Sequence, residues 1–371
     1  MPTALAAPLL TPRAAQLIPG KYIVKMKADA SQADLDAAKA LLANSPDHEY
    51  SFGGFNGFAG SVSASTVSKL QQTDAVEWIQ QDAQVHSMEF LQEAGAPWGL
   101  GRISHTDPGN TTYVYDSSAG EGTCSYVIDT GILITHPEFE GRAEWLENFT
   151  GDGSDTDGYG HGTHVAGTIG SKTYGVAKKT KLYAVKVLDS TGSGTYAGVI
   201  AGIQYAAQDQ QTRDCPKGSV ANMSLGGSFS QAVNDAVAAA VAAGLFFGIA
   251  AGNSNADAAD FSPASTPEAC TVAASDQSDA KASFSNYGAV VDIWAPGVNV
   301  LSTWNDGKTN TISGTSMATP HVVGLAAYLL TFESIPTSGL CDRIVELSIK
   351  DKITGVPDGT VNALAFNAAP Q

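Results

Sequence analysis

The sequence predicts an α/β fold: a parallel β-sheet covered by helices on both faces, preceded by a small α+β unit. Three observations carry this expectation. Short continuous apolar runs recur at 125–128, 181–187, 219–225, 245–251, 270–274 and 290–295. Helical patterns lie between several of them, at 164–169, 196–208 and 231–243. Strands buried on both faces and alternating with helices form parallel sheets. Finally, the texture changes near residue 88, and what precedes it reads as a unit of its own.

Taken in order, residues 1–16 are apolar at the start and contain Ala4-Leu5-Ala6, which resembles a signal-cleavage pattern without the charged start. They are set aside as a leader or truncated signal remnant. Residues 17–88 read as strand (21–27), helix (31–43), hairpin (50–62), helix (66–72) and strand (76–85). The order β-α-β-β-α-β is ferredoxin-like. Residues 90–99 carry no strong pattern and are expected to be a linker, and the α/β domain spans 89–371. In such sheets the working groups gather at the carboxyl ends of the strands.

Composition narrows the function classes. The chain has 371 residues, of which 43% are hydrophobic, enough for a large core. Its net charge of -17 argues against nucleic acid as a partner and for a soluble surface. No apolar run reaches the roughly 18 residues of a membrane span. The 39 glycines imply many tight turns. The four cysteines, Cys124, Cys215, Cys270 and Cys341, have no Cys-x-x-Cys or zinc-finger spacing. They fit two disulfides in one of three connectivities, hence an oxidising compartment.

The chemistry converges on Ser313-Gly314-Thr315-Ser316-Met317-Ala318-Thr319-Pro320-His321. A flexible turn leads into Ser316, and an apolar run follows, so Ser316 opens a buried helix. The free N–H groups of a helix start suit a developing oxyanion. Asp129 sits where its strand ends, in Asp129-Thr130-Gly131, and can orient a histidine. Gly160-His161-Gly162-Thr163-His164-Val165-Ala166-Gly167 puts His161 at a glycine-rich turn that opens a helix, which suits a base of near-neutral pKa. The chain order is Asp129, His161, Ser316. Asn253, after Ala250-Ala251-Gly252, can complete an oxyanion hole with the Ser316 N–H. Two other functions compete with this one. His161 and His164 are three apart and could hold a metal, but the Glu of His-Glu-x-x-His is missing. A catalytically dead scaffold acting as a binding or inhibitor protein is the second, disfavoured because the whole set of groups is present. The acidic loop Asp152-Gly153-Ser154-Asp155-Thr156-Asp157-Gly158 lacks the EF-hand pattern and is read as solvated.

These stretches, with Ala96-Pro97-Trp98-Gly99-Leu100, His136-Pro137-Glu138-Phe139, Ser224-Leu225-Gly226-Gly227 and Ser283-Phe284-Ser285-Asn286-Tyr287-Gly288, resemble the subtilisin family of serine endopeptidases, most of all its fungal proteinase K branch. The resemblance runs from about residue 90 to the end, and the leading unit resembles the family's inhibitory propeptide.

The resemblance implies a subtilisin-like sheet, the triad Asp129, His161 and Ser316, and Asn253 as oxyanion donor. It makes Gly192-Ser193-Gly194 and Ser224-Leu225-Gly226 two strands that sandwich an extended substrate. Tyr196 would shape the pocket for the fourth residue before the cut. Ala250, Ala251 and Gly252 would wall a primary pocket open to large apolar or aromatic side chains. It pairs Cys124 with Cys215 and Cys270 with Cys341. It also implies structural Ca²⁺ on the Pro267 and Ala269 carbonyls and Asp292, with no catalytic cofactor. A second calcium site is in doubt because Lys352 stands where an aspartate is needed. Val165 replaces the family's free cysteine, so mercurials should act weakly. The expected partners are protein and peptide substrates and the chain's own propeptide as intramolecular inhibitor. The chain is expected to be a monomer, secreted and extracellular, with no nucleic-acid or membrane partner. Sequons begin at Asn110, Asn148 and Asn222.

Overall fold

The computed structural model describes residues 6–12, 17–83 and 89–370. The chain divides into two compact units, Met1–Ser87 and Met88–Gln371.

The smaller unit contains β1 (Leu9–Leu10), β2 (Leu17–Met26), α1 (Gln32–Lys39), β3 (His48–Phe52), β4 (Phe55–Ser61), α2 (Ala64–Gln71) and β5 (Val76–Ala83). Its sheet runs β1-β5-β2-β4-β3. Alternate residues of the strands, Val24, Met26, Phe58 and Ile79, pack against Leu35, Ala38, Val67 and Leu70 of the two helices. Helix α1 starts at a capping box: the Ser31 hydroxyl accepts from the Asp34 N–H, and the Asp34 carboxylate accepts from the Ser31 N–H. It ends at Lys39, short of the expected residue 43.

Residues set aside as leader take part in this sheet. Ala7 is buried and its N–H donates to the Gln71 carbonyl. Leu9 and Leu10 pair in parallel with Ile79 and Gln80. Both leucines are exposed, 45% and 40%. An edge strand is recruited through its backbone, so its side chains give no burial signal.

The larger unit opens with β6 (Phe90–Ala94), α3 (Trp98–Ile103) and β7 (Thr112–Asp116). The expected linker is therefore wrong: β6 pairs antiparallel with β7. Its half-exposed residues alternate too weakly to be read without the partner. There follow β8 (Cys124–Asp129), β9 (Ala143–Asn148), α4 (His161–Gly170), β10 (Lys181–Lys186), α5 (Tyr196–Asp209), β11 (Ser219–Met223), β12 (Gly227–Ser228), α6 (Gln231–Ala242), β13 (Phe246–Ala250), β14 (Phe261–Ser262), β15 (Cys270–Ser275) and β16 (Ile293–Pro296). The chain ends with β17 (Val300–Thr303), β18 (Thr309–Ile312), α7 (Thr315–Phe332), α8 (Leu340–Leu347), β19 (Ile349–Lys350) and β20 (Ala363–Leu364).

The main sheet has nine strands in the order β19-β20-β16-β15-β13-β11-β8-β10-β9. All neighbours are parallel except β19 and β20. Successive residues of each strand feed different cores. Val127 and Ala184 join the core with Val165 of α4 and Val322 of α7. Tyr126, Ile128 and Val185 join the one with Val199 of α5 and Val237 of α6. This alternation is why the strands read as unbroken apolar runs. Two disulfides, Cys124–Cys215 and Cys270–Cys341, are formed and no free cysteine remains. Each closes a long loop, and disulfides of this kind typically stabilise by about 2–4 kcal/mol. No described helix is long and apolar enough to cross a membrane.

Candidate active site

The carboxyl end of β8 delivers Asp129, which is fully buried. Its Oδ1 accepts hydrogen bonds from His161 Nδ1 and from the Thr130 N–H, both at 2.7 Å. With Nδ1–H committed to the carboxylate, His161 Nε2 is the nitrogen left for proton transfer.

Two glycines permit this contact. Gly160 caps α4 with φ +103°, a conformation that L side chains rarely adopt, and a Cβ there would lie 2.5 Å from the Trp304 ring. A Cβ on Gly162 would lie 2.1 Å from the Gly131 carbonyl oxygen, so the helix start presses directly on the loop after β8. Burial opposes the imidazolium of His161, but the charge and hydrogen bond of Asp129, helped by the charge of Asp157, raise its pKa above 6.5.

Ser316 is the second residue of α7. Its hydroxyl donates to the Ser224 carbonyl at 3.2 Å, and the Ser224 hydroxyl donates to the Ser316 carbonyl at 2.9 Å. Pro320, four residues on inside the helix, has no N–H to offer that carbonyl, and Ser224 supplies the donor instead. The Ser316 N–H has no partner among the described residues. Asn253 Oδ1 is held by the Thr315 N–H at 2.8 Å and the Thr315 hydroxyl at 2.9 Å. That leaves the Asn253 NH₂ without an acceptor among the described residues. A cavity of about 480 Å³ is lined by His161, Asn253 and Ser316 together, with Tyr159, Trp304 and Met317.

Gly192, Ser193, Gly194 and Tyr196 share a cavity of about 430 Å³ with Ser224, Leu225 and Gly226. Residues 192–194 and 224–226 lie outside the β-strands, rather than forming the strands expected from the sequence. Tyr196 is anchored by its hydroxyl, which donates to the Ser228 carbonyl at 2.7 Å. A third cavity, of about 270 Å³, is walled by Ala250, Ala251 and Gly252 and reaches Asn253 and Ser316.

His164 is bonded to a different partner from that of His161. Its Nε2 meets the Val300 carbonyl at 3.0 Å, and burial pushes its pKa down to about 4. Among the described residues the one cluster of three metal-capable groups is Cys270, Asp292 and Cys341, and both sulfurs are in the disulfide. The His161–His164 metal pair is thus disfavoured. Asp292, from the expected calcium set with Pro267 and Ala269, accepts from the Thr271 N–H at 2.7 Å. Burial, with the charge of Asp342, pushes its pKa up to about 6. No cation lies within ion-pair distance of it among the described residues.

Two residues escape sequence reasoning. Thr315 orients Asn253, and its position next to Ser316 is the only signal. Asp157 belongs to the loop expected to be solvated, yet it is 3% exposed. Its signal is its place four residues before His161, in the turn that presents the candidate base.

The family model described as the subtilase family matches residues 120–342, and the one described as peptidase inhibitor I9 matches 21–88. A cuticle-degrading protease of Metarhizium anisopliae is 56% identical over 364 residues, covering 98% of this chain and 93% of the relative. Proteinase T of Parengyodontium album is 58% identical over 291 residues, covering 78% of this chain and 98% of the relative. Among solved structures, a cold adapted subtilisin-like serine proteinase superposes with a TM-score of 0.70 at 44% identity, covering 75% of this chain and all of that one. The chain therefore belongs to the subtilase family, as a serine endopeptidase made with an I9 propeptide.

Proposed function

We propose that Asp129, His161 and Ser316 are the catalytic triad of this endopeptidase and that Asn253 and the Ser316 N–H form its oxyanion hole. His161 takes the Ser316 proton through Nε2 while Asp129 holds Nδ1–H. The serine oxygen attacks the substrate carbonyl, whose oxygen becomes the oxyanion. His161 then returns the proton to the leaving amine, and a water hydrolyses the acyl-enzyme. The observation that carries this reading is the 2.7 Å Asp129–His161 contact opening onto a cavity shared with Ser316 and Asn253.

An extended substrate lies between 192–194 and 224–226, where backbone groups outside the β-ladders can pair with it. The small side chains of Ala250 and Ala251, with Gly252, favour large apolar or aromatic residues before the cut. Residues 17–88 serve as the self-inhibiting propeptide, and 89–371 as the enzyme. Because β6 is paired into the larger unit from Phe90 onward, the maturation cut falls before it. Two disulfides support secretion.

The Asp292 carboxylate, half-buried and without a cationic neighbour among the described residues, fits a Ca²⁺ ion held with the Pro267 and Ala269 carbonyls. Such an ion supplies structural charge balance only. At the second family site, Lys352 pairs with Asp107 at 3.0 Å, a cation where calcium would need a carboxylate.

The test is fluorophosphonate labelling of wild type and Ser316→Ala, read by intact mass. Labelling of a chain that has lost the propeptide, absent in the variant, is expected. Labelling of folded Ser316→Ala would overturn the triad.

A further inference from the structure

The acidic loop 152–158 looks dispensable in the sequence, and the triad chemistry does not call on it. Its last carboxylate is nevertheless the hub of the site. Asp157 Oδ1 accepts from the Thr130 hydroxyl at 2.8 Å, the Tyr159 N–H at 3.0 Å and the Gly160 N–H at 2.7 Å. Its Oδ2 accepts from the Thr163 N–H at 2.8 Å and the Thr163 hydroxyl at 2.6 Å.

These donors belong to two different pieces of chain. Thr130 and, through Thr163, Leu133 lie in the loop that follows Asp129. Tyr159, Gly160 and Thr163 surround His161. The two threonines complete the bridge in the other direction: Thr130 Oγ1 accepts from the Gly162 N–H at 2.9 Å, and Thr163 Oγ1 accepts from the Leu133 N–H at 2.9 Å. A hydrogen-bonded link therefore joins the residue after Asp129 to the residue after His161.

The donors to Asp157 are all neutral, and no lysine, arginine or histidine lies within ion-pair distance of it among the described residues. Burial of an unneutralised carboxylate is costly unless such donors serve it. It also leaves a negative charge near the base.

We propose that Asp157 is a positioning residue for the catalytic pair: it locks the Asp129 loop against the turn that presents His161, and its unpaired charge favours the imidazolium that forms during catalysis. This rests on Asp129 and His161 acting as proposed above. The charged and titratable groups around the imidazole are Asp129 at the end of β8, Asp157 in the loop, and His164 on α4, which burial keeps neutral near pH 7. Lys186 of β10 bonds the Thr130 carbonyl and pairs with Asp152 at 3.5 Å. From α7 comes Ser316 and from the loop after β13 comes Asn253, both uncharged.

The test uses the full-length chain, with variants matured by added wild-type enzyme where self-processing fails. Asp157→Asn keeps the shape but removes the charge. With a peptide anilide substrate, kcat should fall on the order of 10–100-fold with KM within about twofold. The acidic limb of the kcat/KM profile should move to lower pH, because a positive imidazole loses a supporting charge. Thr130→Val cuts the bridge and keeps the carboxylate. It should lower kcat by a smaller factor and leave the limb in place. If Asp157→Asn does not fold, Thr130→Val still decides: an unchanged kcat in folded protein overturns the proposal. So does a folded Asp157→Asn with wild-type kcat and limb, whatever its melting temperature. Full activity in Asp129→Asn or His161→Ala would instead sink the triad reading itself.

Discussion

The candidate base and the candidate nucleophile both stand at the start of a helix, and the two starts are built differently. Both α4 and α7 follow a glycine with no side-chain cap of its own. At α4 a buried carboxylate, Asp157, takes the Thr163 N–H, and Thr130 takes the Gly162 N–H. At α7 a neutral amide, Asn253, takes the Thr315 N–H, and the Ser316 N–H is left open. A helix start attracts negative charge. At α4 that attraction is already satisfied by an anion that favours the protonated histidine. On the proposed triad, at α7 it is kept for the oxyanion, which the ground state lacks and the transition state develops. Two similar helix ends thus do opposite electrostatic work, according to whether the partner is charged.

Making the two ends alike should have the largest effect. Asn253→Asp places a carboxylate at α7, removing a donor and repelling the oxyanion. Loss of kcat should reach about 10³-fold or more, with Asn253→Ala at about 10²–10³-fold; that scale is borrowed from an oxyanion asparagine in subtilisin. The comparison breaks if Asn253→Asp is no worse than Asn253→Ala in steady-state assays. Loosening α7 without changing charge should do less. Thr315→Val frees Asn253 Oδ1 from one of its two anchors, and kcat should fall about tenfold with KM nearly constant. An equal fall in Thr130→Val would show that both ends rely on geometry alone.

Asp292 extends the comparison to a third carboxylate, this one half-buried. Asp157 has five neutral donors, whereas Asp292 has the Thr271 N–H and a pKa pushed up to about 6. What Asp292 lacks in donors, a calcium ion would supply. Chelation by EGTA should lower the melting temperature of wild type by about 5–10 °C and leave Asp292→Asn unmoved. An equal response of both proteins would remove Asp292 from the calcium site.

Much of this was legible in the chain. Six strands of the main sheet, β8, β10, β11, β13, β15 and β16, are apolar on both faces and short, so period and length place them, whereas the half-exposed edge strand β9 and the two-residue strands β19 and β20 give no such run. Asp129, His161, Asn253 and Ser316 each sit where a strand ends or a helix begins, and small residues mark the spot. What stayed hidden depends on partners distant in sequence. Asp157 looks like its solvated neighbours Asp152 and Asp155, because only Thr130 and Thr163 reveal that it is buried. The strand β6 is invisible without β7. Leu9 and Leu10 read as leader because an edge strand is held by backbone bonds. Asn222, a sequon in the sequence, is fully buried in β11 and closed to a glycan.

On the proposed triad, His161 is a base made stronger by buried anions, and it activates Ser316. The rate of fluorophosphonate labelling of the mature enzyme against pH tests it most directly. Labelling should fall as pH drops through a single ionisation above 6.5, as Asp129 and Asp157 hold the imidazolium. A rate that is flat from about pH 5 to 8, or an ionisation below 6.5, would contradict it.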